Sequence, residues 1–172
     1  MIWLNGAFGA GKTRVARELS SQVPDSIMFD PELIGLMLRQ TIPEALRASS
    51  DFQDLPLWRS LTNDTIEGLL EQYKRPVVVA MTVVNPDYFD QLVGRLRRAG
   101  RTVHHFTLIA TPATIRARLL TRPSWPLSTL WALRQVERCT AALESSTFEQ
   151  HVATDNTSVA DVVATIRRHA AI

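Results

Sequence analysis

Within its first 23 residues the sequence passes from an apolar run, MIWLN, through NGAFGAGKT (Asn5 to Thr13) and into a helical repeat in which Val15, Leu19 and Val23 recur every fourth position. Five of the nine residues from Asn5 to Thr13 are Gly or Ala, and a Lys follows them at once. Gly6, Gly11, Lys12 and Thr13 satisfy the spacing G-x-x-x-x-G-K-[ST], with Gly9 an additional glycine inside it. A strand before and a helix after are the context in which this spacing forms a phosphate cradle. Glycines admit positive φ and close approach, so successive backbone N–H groups can converge on one concavity. The helix that follows adds the partial positive charge of its N-terminus. Gly6, Ala7, Phe8, Gly9, Ala10, Gly11, Lys12 and Thr13 are therefore the expected nucleotide-binding residues. Lys12 is placed to reach the β- and γ-phosphates, and the Thr13 hydroxyl to ligate Mg²⁺. At average residue frequencies the four fixed positions arise by chance in roughly one chain in a few hundred of this length, and the flanking strand and helix make chance a poorer account still.

The rest of the chain alternates in the same manner. SIMFD (26 to 30) reads as a short strand, and DPELIGLMLR as a helix with Asp30 at its N-cap and Pro31 at N1. Trp58, Leu61, Thr65, Ile66, Leu69 and Tyr73 mark one helical face. PVVVAMTVV, uncharged and β-branched, is the most strand-like stretch, and its continuous apolarity fits a sheet covered on both faces. Asn85 and Pro86 open another helix, which Gly100 can close at C′. TVHHFTLIA (102 to 110) is a fourth strand, and Thr111 with Pro112 begins the next helix. A proline-interrupted stretch, RPSWPLST (122 to 129), precedes a helix running to about Leu143; EQHVATD is a weaker fifth strand, and Val159, Val162, Val163 and Ile166 place a last helix. Strands separated by helical crossovers predict an α/β fold of one domain, residues 1 to 172, with a parallel sheet and helices on both faces. Ligands in such folds bind beyond the carboxyl ends of the strands, which directs attention to Asn5, Asp30, Val84 to Asn85 and Ala110 to Thr111.

Composition removes several function classes. With 45% hydrophobic and 21% charged residues the chain reads as globular. A net charge of +2 from 19 basic and 17 acidic side chains is too balanced for an expected nucleic-acid partner. Only Lys12 and Lys74 are lysines, the other basic residues being Arg. The single Cys139 permits no internal disulfide, and no apolar run approaches the roughly 20 residues of a membrane span. Without a basic n-region at the N-terminus, the expected compartment is the cytoplasm. His104 and His105 point to opposite sides of a strand and read as structural.

Other motifs narrow what is done with the nucleotide. No N-K-x-D sequence selects guanine, and the third strand ends in MTVVNPD with no carboxylate on the strand to hold Mg²⁺ through water, so a small-molecule kinase is favoured over a switch GTPase or a motor ATPase. Arg118 and Arg122 lie four apart on one helical face, and Arg134 with Arg138 repeat the spacing beyond the proline-rich stretch. They predict a lid over residues 116 to 138 whose arginines close on the triphosphate, although two solvated helix faces would show the same pattern. Asp30, at the end of the second strand, is a candidate base for an acceptor hydroxyl; it is equally a good N-cap, and one residue can do both. Arg39 is a candidate acceptor contact.

With these residues in view, the sequence resembles the tunicamycin-resistance protein family, within the P-loop kinases related to chloramphenicol phosphotransferase and adenylate kinase. WLNGAFGAGKT, FDPE, DFQDLPLWR, MTVVNPDYF, GRLRRAGRTVHHFTL, QVERC and TDN carry the resemblance nearly end to end, DLPLWR and VHHFTL being the most particular. It implies a P-loop NTPase fold with a five-stranded parallel sheet and an adenylate-kinase-like lid, ATP as the nucleotide, and resistance to a nucleoside antibiotic by phosphorylating or sequestering it. A housekeeping nucleotide or metabolite kinase is the remaining alternative. Asp30 matches the position of the related drug kinases' proposed base, Arg118 and Arg122 match the lid arginines, and Asn156 belongs to the loop that passes the adenine. Tunicamycin combines uracil, sugars and an acyl chain, so Phe52, Trp58 and Met81, with Leu55, Leu57 and Tyr88, are candidates for a partly apolar acceptor surface, ordinary packing being the alternative for each. Family members continue into a further basic segment linked to membrane association where this sequence ends at Ile172, which leaves membrane association doubtful.

Overall fold

The computed structural model describes residues 1–47, 49, 51–121 and 126–172. Five strands, β1 (Ile2–Gly6), β2 (Ile27–Phe29), β3 (Val77–Ala80), β4 (His104–Ile109) and β5 (His151–Ala153), form one sheet in the order β2-β3-β1-β4-β5. Every neighbouring pair is parallel. The expected P-loop fold with a five-stranded parallel sheet is therefore observed. The first strand is central, and the direction in which the chain adds strands reverses beside it, so the loop leaving β1 opens into the crevice where such folds bind ligands.

The helices are α1 (Lys12–Gln22), α2 (Glu32–Thr41), α3 (Pro56–Tyr73), α4 (Pro86–Phe89), α5 (Arg95–Arg98), α6 (Pro112–Thr121), α7 (Pro126–Leu143) and α8 (Val159–Ala170). Between α4 and α5 the residues Asp90–Gly94 form a π turn, so that segment is one helical rod with a wider turn in its middle. Its ends follow from side chains: Asn85 Oδ1 accepts from the Asp87 and Tyr88 amides, and Gly100 takes φ +78° after the last turn. There the Arg101 amide reaches Leu96 O and the Gly100 amide reaches Arg97 O, which satisfies carbonyls the helix leaves open.

Two apolar layers sandwich the sheet. On one face Leu4, Val78, Phe106 and Leu108 pack against Val15, Leu19, Val162, Val163 and Ile166 of α1 and α8. On the other Trp3, Val77 and Val79 meet Ile34, Trp58, Ile66, Leu92, Val136 and Cys139, from α2, α3, the π turn and α7. Alternation along β1 and β3 sends successive side chains to opposite layers, which is why Ile2, Trp3 and Leu4 of β1 and all four residues of β3 are apolar. His105 faces the second layer, 3% exposed and against the Phe89 ring at 4.6 Å. Burial pushes its imidazole down to about 4.

The third strand is shorter than its composition predicts. PVVVAMTVV is apolar through Val84, yet the ladder ends at Ala80. Met81 N still bonds Leu4 O at 3.0 Å, but beyond it β1 has turned into the glycine loop and can offer no further backbone partner. A side chain takes over: Asn5 Oδ1 accepts from Val83 N at 2.9 Å, and Asn5 Nδ2 donates to Val83 O at 2.8 Å. Residues 81–83 stay buried beyond the ladder, with Val83 held by Asn5 rather than by a strand.

Candidate functional site

The phosphate loop begins where β1 ends. Asn5 is fully buried, and its Oδ1 also accepts from Gly6 N at 2.9 Å, so one amide side chain fixes the first loop residue and the neighbouring segment together. Gly6, Gly9 and Gly11 have φ of +148°, +89° and +99°, values that L side chains rarely adopt. A Cβ on Gly6 would lie 2.8 Å from Leu108 O, and one on Gly9 3.0 Å from the Leu119 side chain. Those two glycines let the loop lie against β4 and α6. A Cβ on Gly11 would meet nothing within 4 Å; that residue serves the backbone turn into α1, whose first turn carries no acidic residue to offset its dipole. Thr13 is exposed on this first turn.

Lys12 closes the loop on itself. Its Nζ donates to Gly6 O at 2.9 Å, Ala7 O at 3.0 Å and Thr82 Oγ1 at 2.8 Å, and lies 5.6 Å from the Phe8 ring centroid. An ammonium held at the glycine loop suits phosphate oxygens, which can replace the loop carbonyls as its acceptors. Thr13 fits Mg²⁺ as a single hydroxyl ligand, because Mg²⁺ keeps waters and substrate phosphates in its shell. Among the described residues no group of three His, Cys, Asp or Glu could hold a metal without such help.

The expected acceptor contacts lie on α2, α3 and the segments 51–54 and 81–84. Asp30 is exposed at the end of β2; its Oδ1 accepts from Glu32 N at 3.0 Å, and Pro31 has helical dihedrals, so Asp30 caps α2 as its sequence reads. Two strand spacings separate β2 from β1, roughly 10 Å. Phe52 is half-buried, 5.2 Å from the Trp58 ring and under the Arg39 guanidinium at 5.3 Å. Trp58 and Met81 are 0% and 1% exposed, and Trp58 Nε1 donates to Pro31 O at 3.0 Å. Of the proposed acceptor contacts, the structure thus brings Arg39 and Phe52 to the surface together and places Trp58 and Met81 in the core beneath them. Arg59, 8% exposed, was not a sequence candidate. It donates to Gln91 Oε1 at 2.7 Å and to Gln53 O, and stacks 4.2 Å from the Tyr88 ring. Tyr88 in turn donates to Asp54 Oδ1 at 2.9 Å, which raises the Tyr88 phenol above its ordinary value.

Elsewhere α6 and α7, which carry the segment expected to act as a lid, pack against each other. Arg116 and Glu137 pair between them at 2.6 and 2.8 Å, and Trp131 of α7 meets Phe8 of the phosphate loop edge to face at 4.9 Å. Arg118 does not extend freely: Nη1 donates to Thr154 Oγ1 at 3.1 Å and Nη2 to Thr154 O at 2.6 Å. Thr154 is buried and donates to Ile109 O and Ala10 O, so Arg118 joins α6 to the loop 154–156. Asp155 carries that loop onto the end of β4 by accepting from Thr111 N and Oγ1, and the Thr114 and Thr111 hydroxyls hold its carboxyl below the usual range. Asn156 is exposed with φ +51° at the loop tip. Arg138 bonds Gln135, one helical turn back, at 2.9 Å; Arg122 lies outside the described residues.

Sequence reading missed Asn5, Thr82, Gln53 and Arg59. Their signal was a polar residue inside an otherwise apolar or motif-bearing stretch, as with Thr82 in VVVAMTVV, but nothing in the sequence names partners 29 to 78 residues away.

Comparison with known proteins follows this geometry. The tunicamycin resistance protein of Deinococcus radiodurans is 27% identical and superposes with a TM-score of 0.82 over 99% of this chain and 95% of that one. A gluconokinase from Sinorhizobium meliloti (18% identical, TM-score 0.64, 99% and 93% covered) and shikimate kinase from Bacteroides thetaiotaomicron (16%, 0.65, 99% and 98%) share the fold. No curated protein matches the sequence. The resemblance carried by the motifs is thus borne out. A family model described as an AAA domain matches residues 1–145, from the first strand through α7, and the chain belongs to that AAA domain family of P-loop proteins.

Proposed function

We propose that this protein is an ATP-dependent phosphotransferase that moves the γ-phosphoryl group to a hydroxyl of a small molecule, and that the acceptor is a tunicamycin-like nucleoside antibiotic. The observation that carries the transferase reading is the phosphate loop, whose Lys12 ammonium is tied to Gly6 O, Ala7 O and Thr82 Oγ1 above a ring of positive-φ glycines. The acceptor rests on similarity to the D. radiodurans protein and on an acceptor side that mixes charge with aromatic surface, Arg39 over Phe52.

Each residue then has a task. The loop amides and the α1 N-terminus bind the phosphates, and Lys12 balances charge on the transferring group. The Thr13 hydroxyl would hold Mg²⁺, which would supply further neutralisation of phosphate charge. The acceptor oxygen forms its bond to the γ-phosphorus as the bond to the β–γ bridging oxygen breaks, ADP leaves, and the hydroxyl proton passes to Asp30. Asp30 Oδ1 already caps α2, so Oδ2 is the oxygen available for that proton. Arg118 holds loop 154–156 for the adenine, Arg122 is the lid arginine at the moving phosphoryl group, and Arg39 with Phe52 contacts the acceptor.

Mass spectrometry of tunicamycin incubated with protein and MgATP tests the reading. A gain of one phosphate on the drug, lost in Lys12→Ala, is the expected result. Unchanged drug that nevertheless binds would mean sequestration, and ADP release with sugars or nucleotides in place of the drug would mean a metabolite kinase.

A further inference from the structure

The third strand ends without the carboxylate that many P-loop proteins place beside the phosphate loop. What stands there is Thr82, 4% exposed. Its hydroxyl has a single proton, and that proton is spent on Gly6 O at 2.8 Å. The oxygen therefore turns its lone pairs toward Lys12, whose Nζ donates to it at 2.8 Å. Gly6 O receives the ammonium as well, at 2.9 Å, so Lys12, Thr82 and Gly6 close a small hydrogen-bonded triangle linking the ends of β1 and β3. The backbone of Thr82 is held independently: its carbonyl accepts from Gln53 Nε2 at 3.0 Å, and the flanking Val83 is clamped by Asn5.

We propose that Thr82 is a positioning residue of the phosphate site, a neutral acceptor that fixes where the Lys12 ammonium stands without cancelling its charge. The inference rests on the kinase reading for its consequence and on geometry for its existence. When phosphate oxygens displace the Gly6 and Ala7 carbonyls from Lys12, the Thr82 hydroxyl is a protein acceptor that can stay, because it approaches from the segment after β3 rather than from the loop. A carboxylate in the same place would hold the lysine as firmly but compete with the phosphates for its charge; a hydroxyl only orients it. Through Gln53, the residue that orients Lys12 is also the one to which the acceptor-side segment 51–54 is attached.

The chain contains only two lysines, Lys12 and Lys74, so ¹⁵Nζ-detected NMR of the lysine ammonium groups reports Lys12 with Lys74 as an internal reference. Thr82→Val, close in shape but without the hydroxyl, should shift the Lys12 signal and speed its proton exchange, leaving Lys74 unchanged. Thr82→Ser should restore the parent spectrum. In steady-state turnover Thr82→Val should lower kcat about tenfold or more while ATP affinity moves by less than about threefold, since an ammonium in the wrong place matters most as charge moves, and Thr82→Ser should recover the rate. An unchanged Lys12 signal in Thr82→Val, or a Ser variant as perturbed as the Val variant, overturns the proposal. The spectrum can be read whether or not the protein transfers phosphate, so a parent that binds no ATP would refute the kinase reading without touching the Lys12–Thr82 contact.

Discussion

Asn5 allows a prediction whose size and pH dependence both follow from its partners. Fully buried, it accepts from Gly6 N and Val83 N and donates to Val83 O. Asn5→Ala leaves those three backbone groups without their partner, at roughly 1–3 kcal/mol for each that stays dry. Because Gly6 lies at the loop edge, where water can replace one bond, the expected loss is about 3–5 kcal/mol. At about 2–4 °C per kcal/mol for a chain of this size, the midpoint should fall by roughly 6–20 °C. Asn5→Asp is the sharper probe. Ionised, the new carboxylate can still accept from both amides but sets a second oxygen against Val83 O in a buried site. Protonated, it reproduces the asparagine pattern, its O–H donating to Val83 O. The folded state then binds the proton more tightly than the unfolded chain, so the carboxyl is raised above its ordinary value. Relative to the parent, the variant should regain stability as the pH falls through that raised pKa and lose it as the pH rises. Urea denaturation followed by tryptophan fluorescence at several pH values reads both effects, Trp3 being buried in the same strand. An Ala variant within about 1 kcal/mol of the parent would refute the clamp, as would an Asp variant whose deficit does not change with pH.

Three further predictions concern side chains elsewhere. Asp30→Asn keeps the cap on Glu32 N, since Asn and Asp cap equally well, and should lower phosphoryl transfer by about 10²-fold with ATP affinity nearly unchanged; turnover within a factor of three of the parent would make Asp30 a cap alone. Arg118→Ala releases Thr154 and should weaken ATP binding more than it lowers kcat, whereas a kcat loss exceeding the affinity loss would put Arg118 at the moving phosphoryl group. His105, held neutral by burial at about 4 against an ordinary 6.5, makes the unfolded chain the better proton binder between those values. Its contribution is complete above pH 6.5 and declines by up to about 3 kcal/mol as the pH falls to 4, and chemical denaturation of His105→Gln at pH 4.5 and 7 should show a correspondingly smaller pH dependence than the parent.

Helix boundaries were legible because their signals are local. Lys12 to Gln22 is helical as its period requires, and Asn85, Pro86 and Gly100 act at the ends of their helix as their residue types predict. The π turn at Asp90–Gly94 was not legible, since its causes are tertiary: the Gln91 carbonyl accepts from Asn63 Nδ2 at 2.7 Å and its side chain from Arg59. A Cβ on Gly94 would lie 2.1 Å from Asp90 Oδ1, so the missing side chain leaves room for Asp90 to pair with Arg98 across that turn. A glycine within a helical repeat shows none of this from sequence.

The same division separates the two halves of the site. Phosphate recognition is a backbone property, and the glycine spacing that permits it is written in consecutive residues. Acceptor recognition depends on which side chains remain uncovered after packing, and that is decided between elements. Trp58 and Phe52 look alike in the sequence as aromatic candidates; the hydrogen bond from Trp58 Nε1 to Pro31 O draws one into the core and leaves the other stacked above it, partly open, with Arg39 over its face. Two arginines of α6 divide likewise. Arg116 and Arg118 differ by two positions on one helix, yet the first meets Glu137 of α7 and the second reaches Thr154. An i, i+4 spacing can place Arg118 and Arg122 on one face, but only the contact with Thr154 shows that Arg118 is tied to the loop 154–156.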